Sequence, residues 1–365
     1  MQHFFKIISA VFIALSLQAA NAFEWTPFKT VSLPSFPHIE VPIYKSPGKK
    51  GPGILFIHGN SSSSRSFVRQ KVSALGLTHK LYFMDLPGFG QASKVNPSLP
   101  FPVDQNGVPV GFAEYQLGMI EAIVRVANDP AVNAQVLVGW SLGGDLALLA
   151  QGTGLLPNTK GIMMFGTAPV GADAPAVPPF KGPNVPLPFP LGILPSFGFS
   201  FRLTGTPPLG FDFLGEFTDP IPSYAPAPIS DSVDQGEAYI RAFFKNSRRL
   251  NGPIPPFFIE DGYARADARA RGSIGVVAFN LLPPGPIALP DELDVLKNLN
   301  FPVAILHGKE DAFVNLDYLE ALEQNDFLPT LWHNKIVKVK KAGHAVQFER
   351  PRVFNTLVKK FLKDI

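Results

Sequence analysis

The stretch VLVGWSLGG, residues 136–144, determines how the rest of the chain is interpreted. An apolar, β-branched run ends in the pattern G-x-S-x-G, and residues 145–150 (DLALLA) have the composition of a helix. The order strand, sharp turn, helix places Ser141 on the turn, where glycines permit a tight bend and close packing. The sequence therefore predicts a serine hydroxyl that projects above a sheet, beside the N-terminus of a helix.

Apolar runs on both sides of this stretch predict the other strands. The predicted strands are 28–33, 38–45, 53–58, 81–85, 135–140, 161–165, 302–308 and 335–340. One helix is predicted to run from an N-cap among residues 61–64 to about residue 76, and the others are 111–128, 315–324 and 350–362. Continuous apolar strands that alternate with helices are typical of a parallel sheet covered on both faces. We expect an α/β fold with a mostly parallel, doubly wound sheet and an antiparallel N-terminal entry.

The alternation of strands and helices breaks after the strand that ends at 165. Residues 168–227 are dense in Pro, Gly and Phe, and helical patterns resume at 232–250 and 261–279. We expect 23–167 and 300–365 to form one catalytic domain and 168–299 to form an inserted cap. A disordered linker is the alternative, but disordered segments are poor in aromatic residues. The insertion carries Phe180, Phe189, Phe197, Phe199, Phe201, Phe211, Phe213 and Phe217, which we expect to line an apolar pocket.

Composition limits the partners and cofactors. The 365 residues carry a formal charge of only +3 and no basic run, which argues against nucleic acid as a partner. The sequence contains no cysteine, and its histidines lack H-x-x-x-H spacing, so we expect neither a disulfide nor a metal site. No cofactor is expected, and the expected partner is a small molecule.

The N-terminus has the pattern of an export signal. Residues 1–6 carry positive charge, residues 7–17 are apolar, and Ala20-Asn21-Ala22 is an A-x-A cleavage site. We therefore expect residues 1–22 to be removed and the mature protein to be periplasmic or secreted, with no stable membrane span. An uncleaved anchor is the alternative, although the apolar run is short for a bilayer.

Four motifs in order along the chain carry a resemblance to a known family. They are HGN at 58–60, DLPGFG at 85–90, GWSLGG at 139–144, and the pair of HGKED at 307–311 with GH at 343–344. Together they resemble the α/β-hydrolase superfamily, whose catalytic residues follow the chain order serine, acid, histidine. The resemblance covers essentially the whole mature chain outside the insertion.

The resemblance implies that Ser141, Asp311 and His344 form a catalytic triad. A serine hydroxyl needs a base within hydrogen-bond reach, and a histidine of ordinary pKa, about 6.5, suits that task near neutrality. Other acids remain open as the third member. Glu310 and Asp317 lie close to Asp311 in the chain, and Asp173 follows the preceding strand, where some members of the superfamily carry the acid.

The resemblance also implies an oxyanion hole formed by the backbone N–H groups of Asn60 and Leu142. The side chain of Asn60 is a further candidate contact for substrate. We expect His58 and His307 to be structural hydrogen-bonding residues, and Asp85 to hold the loop after its strand. The charged cluster at 265–271 fits a solvated helix face better than a site for an anionic substrate.

The expected activity is that of a serine hydrolase, in particular a carboxylic-ester hydrolase that acts through an acyl-enzyme on a substrate with an apolar group. An acyltransferase or a C–C bond hydrolase could use the same triad. A binding protein without catalysis, built on a hydrolase scaffold, is the third hypothesis. The intact set of Ser141, Asp311 and His344 argues against it.

Overall fold

An eight-stranded sheet forms the centre of the protein. The structure is a computed structural model. It describes residues 25–94, 112–177, 179, 240–241, 243–244, 254–267, 270 and 289–365. The strands are β1 (Lys29–Leu33), β2 (Phe36–Lys45), β3 (Lys50–Ile57), β4 (His79–Met84), β5 (Ala134–Trp140), β6 (Gly161–Phe165), β7 (Val303–Gly308) and β8 (Val337–Val339). Their order across the sheet is β1-β2-β4-β3-β5-β6-β7-β8. Strands β3 to β8 run parallel, whereas β1 and β2 are antiparallel to their neighbours, which confirms the predicted fold class.

Helices cover both faces of the sheet. They are α1 (Val68–Lys71), α2 (Ala74–Thr78), α3 (Phe112–Asn128), α4 (Leu142–Gly152), α5 (Glu292–Asn298), α6 (Leu316–Gln324), α7 (Val346–Glu349) and α8 (Pro351–Asp364). Short 3₁₀ helices lie at Ser64–Phe67 and Trp332–Asn334, and a π-helix spans Phe258–Tyr263. None of the described helices is both long enough and apolar enough to cross a bilayer.

The two faces of the sheet bury two different cores because side chains alternate along each strand. In β3, Leu55 and Ile57 belong to the core that contains residues of α3 to α6. Ile54 and Phe56 belong to the opposite core, which is rich in aromatic rings and contains residues of α2, α7 and α8. Two buried faces explain why the strands read as continuous apolar runs rather than as alternating ones.

One predicted helix is divided in the structure. The sequence predicts a single helix from an N-cap among residues 61–64 to about residue 76, but α1 ends at Lys71 and α2 begins at Ala74. Ser73 interrupts the helix because its backbone is extended and its side chain accepts a hydrogen bond from Leu75 N–H, as an N-cap does. This helical prediction was therefore wrong at the break.

Two predictions concern residues outside the described ones. The export signal at 1–22 and the eight insertion phenylalanines named above lie there, and both stay predictions. The final part of the predicted insertion is described: α5 packs against α4, and its Leu293 and Leu296 join the core of the sheet domain.

Candidate active site

Ser141 lies on the turn between β5 and α4, where the predicted strand–turn–helix geometry is found. Its φ of 52° and ψ of −127° are rarely adopted by a residue with a side chain. Hydrogen bonds on both sides hold this conformation. Ser141 N–H donates to Phe165 O at 2.9 Å, and Ser141 O accepts from Gly144 N at 2.7 Å and from Thr167 Oγ1 at 3.0 Å.

The glycines around Ser141 are required by close packing. A Cβ on Gly139 would stand 2.4 Å from Gly143 O, where β5 passes under α4. A Cβ on Gly144 would stand 2.1 Å from Thr167 Oγ1, the hydroxyl that bonds to Ser141 O. The motif therefore sets how closely the strand and the helix approach, and this holds the serine in its strained position.

His344 and Asp311 are bonded to each other. His344 Nδ1 lies 2.9 Å from Asp311 Oδ2, and the two residues are only 3% and 1% exposed. The other carboxyl oxygen, Oδ1, accepts the backbone N–H groups of Phe313 and Val314 at 2.8 and 3.1 Å. Burial alone would raise the pKa of Asp311, but the neighbouring imidazole and these hydrogen bonds outweigh it and lower the pKa. Asp311 is therefore a carboxylate that can fix the tautomer and orientation of the imidazole.

The imidazole of His344 lies next to the turn that carries Ser141. Trp140, the residue before the serine, donates from Nε1 to His344 O at 3.0 Å. The ring also lies close to Gly166, since a Cβ on this glycine would stand 3.0 Å from His344 Cε1 and Nδ1. The preceding residue, Phe165, accepts a hydrogen bond from Ser141 N–H at its carbonyl. The structure thus places the His344 ring beside the turn that carries the predicted nucleophile.

The other acids considered from the sequence have different surroundings. Asp173 is exposed and pairs with Lys297 at 3.3 Å. Asp317 is exposed in the first turn of α6. Glu310 is partly buried, and its backbone N–H donates to Ala342 O. Among these candidates, Asp311 is the acid that the structure places on the imidazole.

Both predicted oxyanion residues lie beside Ser141. Leu142 is the first residue of α4, and the first N–H groups of a helix have no acceptor within the helix. A Cβ on Gly59 would stand 3.0 Å from Ser141 Cβ, so the loop that carries Asn60 runs alongside the nucleophile. Asn60 is 4% exposed, its Oδ1 accepts from Ser61 N–H at 2.9 Å, and its buried Nδ2 has no hydrogen-bond partner among the described residues.

His58 and Asp85 hold the loops around the site. Burial lowers the pKa of His58 and keeps the ring neutral, so Nδ1 donates to Gly59 O at 2.7 Å while Nε2 accepts from Leu86 N–H at 3.0 Å. Asp85 accepts from Ser64 N–H, Gln91 N–H and Tyr44 Oη. These contacts are the loop-holding roles expected of both residues, and His307 is fully buried.

Two aromatic rings next to His344 were not anticipated from the sequence. Phe313 and Phe243 lie with their ring centroids 4.8 and 5.5 Å from that of the imidazole. Phe243 lies within the predicted insertion, and its carbonyl accepts from Ala345 N–H at 3.0 Å. For Phe313, its position two residues after Asp311 was the one sequence signal that could have predicted a contact with the imidazole. For Phe243 the sequence offered none, because the contact joins distant parts of the chain.

The charged cluster at 265–271 is not a uniformly solvated helix face. Arg265 is half exposed and donates to Gln91 Oε1, as a surface residue would. Asp267, by contrast, is 7% exposed and accepts from Tyr115 Oη at 2.7 Å. The expectation of a solvated face was therefore wrong for Asp267, since the buried hydroxyl of Tyr115 needs an acceptor and Asp267 provides it. Within the described ranges, no three His, Cys, Asp or Glu side chains are grouped so that they could hold a metal ion.

The fold of the sheet domain resembles that of solved hydrolase structures. A mutant of the N-acyl homoserine lactonase AidH, complexed with N-hexanoyl homoserine lactone, matches with a TM-score of 0.64 and 22% identity over 92% of this chain and 97% of that one. An aryl esterase from Burkholderia cenocepacia matches with 0.59 and 18%, over 92% and 97%. An esterase from Thermogutta terrifontis matches with 0.59 and 17%, over 92% and 98%.

Sequence comparison gives the family. No curated protein sequence matches the chain. The family model described as the alpha/beta hydrolase family matches residues 54–357, which include all four motifs and every predicted site residue. The chain therefore belongs to the alpha/beta hydrolase family.

Proposed function

We propose that the protein hydrolyses carboxylic esters that carry an apolar group, through an acyl-enzyme on Ser141. The observation that supports this best is the 2.9 Å bond between His344 Nδ1 and Asp311 Oδ2, on a ring that lies beside the Ser141 turn. With Nδ1 occupied in this way, Nε2 is left as the nitrogen that takes the serine proton.

In the first half of the proposed reaction, Ser141 Oγ attacks the ester carbonyl carbon while His344 Nε2 takes the hydroxyl proton. The carbonyl oxygen becomes negatively charged, and the N–H groups of Asn60 and Leu142 would donate to it at the N-terminus of α4. The tetrahedral intermediate then collapses. The C–O bond to the alcohol breaks, and the alcohol leaves with the proton from His344.

In the second half, water attacks the acyl-enzyme. His344 Nε2 takes a proton from the water, and the same two N–H groups would stabilise the second tetrahedral intermediate. The bond to Ser141 Oγ breaks, the serine recovers its proton from His344, and the carboxylic acid leaves. Asp311 remains ionised throughout and stabilises the imidazolium in both halves.

The aromatic surroundings of the imidazole support an apolar substrate. Phe243 and Phe313 lie against His344, and both are buried. Apolar walls exclude water and strengthen the oxyanion hydrogen bonds. The similar structures include esterases and a lactonase, and a lactone is a cyclic ester that the same two half-reactions would open. Acyl transfer and C–C bond hydrolysis remain the alternatives on the same residues.

We further propose that residues 1–22 are removed on export and that the enzyme acts in the periplasm or outside the cell. The charged start, the short apolar run and the Ala20-Asn21-Ala22 site support this location.

A fluorophosphonate probe tests the nucleophile, because it reacts with an activated serine. We expect one labelled site, Ser141, and no label in Ser141→Ala or after heat denaturation. As a matched control, Ser62→Ala removes a buried hydroxyl from the neighbouring loop and should leave labelling intact. Label on residues 61–64 in place of Ser141 would refute the assignment.

Turnover tests the reaction class. The protein should hydrolyse p-nitrophenyl hexanoate, and Ser141→Ala should lower kcat by roughly 10⁶-fold if the triad acts as a unit. Adding N-hexanoyl homoserine lactone in a parallel assay tests lactone opening. Adding an alcohol acceptor and measuring the transferred acyl group separates transfer from hydrolysis. Labelled Ser141 without hydrolysis of any ester would favour one of the alternative reactions.

A further inference from the structure

Residues 254–267 of the predicted insertion, here called the insertion segment, pack against the loop that carries Asn60. The π-helix of this segment contacts the 3₁₀ helix that follows the loop. A Cβ on its Gly262 would stand 2.9 Å from Ser61 O and 3.1 Å from Ser62 Cα. Separations this short leave no room for a side chain at Gly262. The backbone of the insertion segment therefore touches the backbone of the loop, one residue after the predicted oxyanion residue Asn60.

An ion pair joins the insertion segment to the end of the same loop. Arg65, in the 3₁₀ helix that follows the loop, donates from Nη1 to Asp261 Oδ2 at 2.5 Å. Asp261 is 7% exposed, so its carboxylate needs hydrogen-bond donors and a nearby cation, and Arg65 supplies both. Arg265 Nε lies 3.6 Å from the other carboxyl oxygen, Asp261 Oδ1. The charge of Asp261 thus fastens the helix at the end of the loop to the insertion segment.

The insertion segment also binds the loop that follows β4. Asp267 N–H donates to Gly88 O of that loop at 2.8 Å. Asp85, at the end of β4, connects the two loops, because its carboxylate accepts from Ser64 N–H at 2.7 Å and from Gln91 N–H at 2.9 Å. The two loops and the insertion segment are therefore joined to one another by hydrogen bonds, and a change in any one of them is felt by the other two.

The loop that carries Asn60 has little internal support. Ser61 has a φ of 49°, in the left-handed region that a residue with a side chain rarely adopts. The hydroxyls of Ser61, Ser62 and Ser63 are buried, and none of them has a hydrogen-bond partner in the part of the chain that the structure describes. Three consecutive side chains thus add no hydrogen bond that would hold the loop. Its position depends instead on the contacts that other segments make with it.

We propose that Asp261 and Gly262 are positioning residues that hold the backbone N–H of Asn60 where the oxyanion forms. This rests on the proposed function, because the oxyanion hole is part of that reaction. An N–H group that donates to the oxyanion has its full effect only in the transition state, when the negative charge has developed. A displaced loop therefore lowers kcat and leaves KM nearly unchanged. The insertion segment is then required for the chemical step itself.

Two substitutions test this proposal. Gly262→Ala places a methyl group against Ser61 O, and Asp261→Asn keeps the shape of the side chain but removes the charge that binds Arg65. We expect each of them to lower kcat on p-nitrophenyl hexanoate roughly 10- to 100-fold, with KM within about twofold of the wild type. The matched control is Glu260→Gln, which removes an exposed acid of the same π-helix and should keep kcat within about twofold.

Active-site titration separates this role from a merely structural one. A fluorophosphonate should still label one serine per chain in each variant, but its rate constant should fall together with kcat, because the attacked phosphoryl oxygen also gains negative charge. The double variant Arg65→Gln with Asp261→Asn should lose no more kcat than Asp261→Asn alone, since both substitutions break the same ion pair.

Three results would overturn the proposal. They are a fall in the labelled fraction with an unchanged kcat per labelled site, a rise in KM at unchanged kcat, and additive losses in the double variant. If Gly262→Ala does not fold, Asp261→Asn and the double variant still decide the matter. A wild-type protein that is labelled at Ser141 but hydrolyses no ester would overturn only the proposed function, and slower labelling of Asp261→Asn would then still support the positioning role.

Discussion

Replacing Asp311 by asparagine tests the catalytic arrangement most directly. In the wild type, Oδ1 accepts two backbone N–H groups and Oδ2 accepts from His344 Nδ1. An asparagine that keeps its oxygen toward Phe313 and Val314 must turn its NH₂ toward the imidazole. The imidazole then accepts at Nδ1 and carries its proton on Nε2, where it cannot serve as a base for Ser141. The opposite orientation is unfavourable because it would place the NH₂, itself a donor, against the backbone N–H donors of Phe313 and Val314.

The expected loss in kcat is roughly 10⁴-fold, the usual consequence of the wrong histidine tautomer. This corresponds to about 5 kcal/mol in activation free energy. The assay is kcat/KM on p-nitrophenyl hexanoate, with a thermal unfolding curve to show that the variant is folded. Asp173→Asn is the matched control, because Asp173 is exposed and follows the strand where the alternative acid was considered. It should stay within about twofold of wild type. A folded Asp311→Asn protein that keeps a tenth of the activity, or an equal loss in Asp173→Asn, would refute the reasoning.

Four further outcomes are expected. Gly144→Ala should lower the free energy of unfolding by about 1–3 kcal/mol and reduce kcat, because the added Cβ would meet Thr167 Oγ1. Gly118→Ala is the control and should not destabilise the protein, because the atom nearest to its added Cβ is 3.6 Å away. The lowered pKa of Asp311 stabilises the folded protein at any pH above the unfolded pKa of about 3.9, and this stability is lost as pH falls through the folded pKa. The free energy of unfolding of Asp311→Asn should therefore fall less steeply with decreasing pH below pH 4 than that of the wild type. Hexanoate esters should exceed acetate esters in kcat/KM by about one to two decades, since each buried methylene contributes up to about 0.8 kcal/mol, and equal rates would contradict an apolar pocket. Mass spectrometry of exported protein should find Phe23 at the N-terminus, whereas a full-length chain in the membrane fraction would support an anchor.

The sheet and the position of Ser141 could be predicted because local sequence determines both. Strands buried on two faces are continuously apolar, as 54–57 and 136–138 are, and this pattern needs no knowledge of the partners. The glycines of 139–144 report a close approach between elements that are adjacent in the chain. The break at Ser73 was missed because a serine within a helix and a serine that caps a new helix look the same in sequence.

The choice of acid needed the structure. Glu310, Asp311 and Asp317 lie within eight positions along the chain, and spacing alone does not separate them. The backbone N–H groups of Phe313 and Val314 favour Asp311, because they bind one of its oxygens and so orient the other toward His344.

Contacts between distant segments were also beyond prediction. Asp145 and Glu292 are both buried on two helices, α4 and α5, that pack together, although each residue alone has the sequence pattern of an ordinary acid in the first turn of a helix. Asp267 reads as part of a charged run until the hydroxyl of Tyr115, on a separate helix, is placed against it.

The histidine, unlike the serine, has a described contact with the predicted insertion. The hydrogen bonds and close packing described for Ser141 all come from residues before 168, in the sheet domain. His344 also has contacts in the sheet domain, but its ring in addition lies against Phe243 of the predicted insertion, whose carbonyl accepts from the N–H of the neighbouring Ala345. We therefore expect that changes within residues 168–299 can leave the contacts of Ser141 intact, provided that the ring beside His344 is kept. The lineage of such enzymes should diversify fastest in the insertion, and the residue that fills the place of Phe243 should be the slowest to change within it.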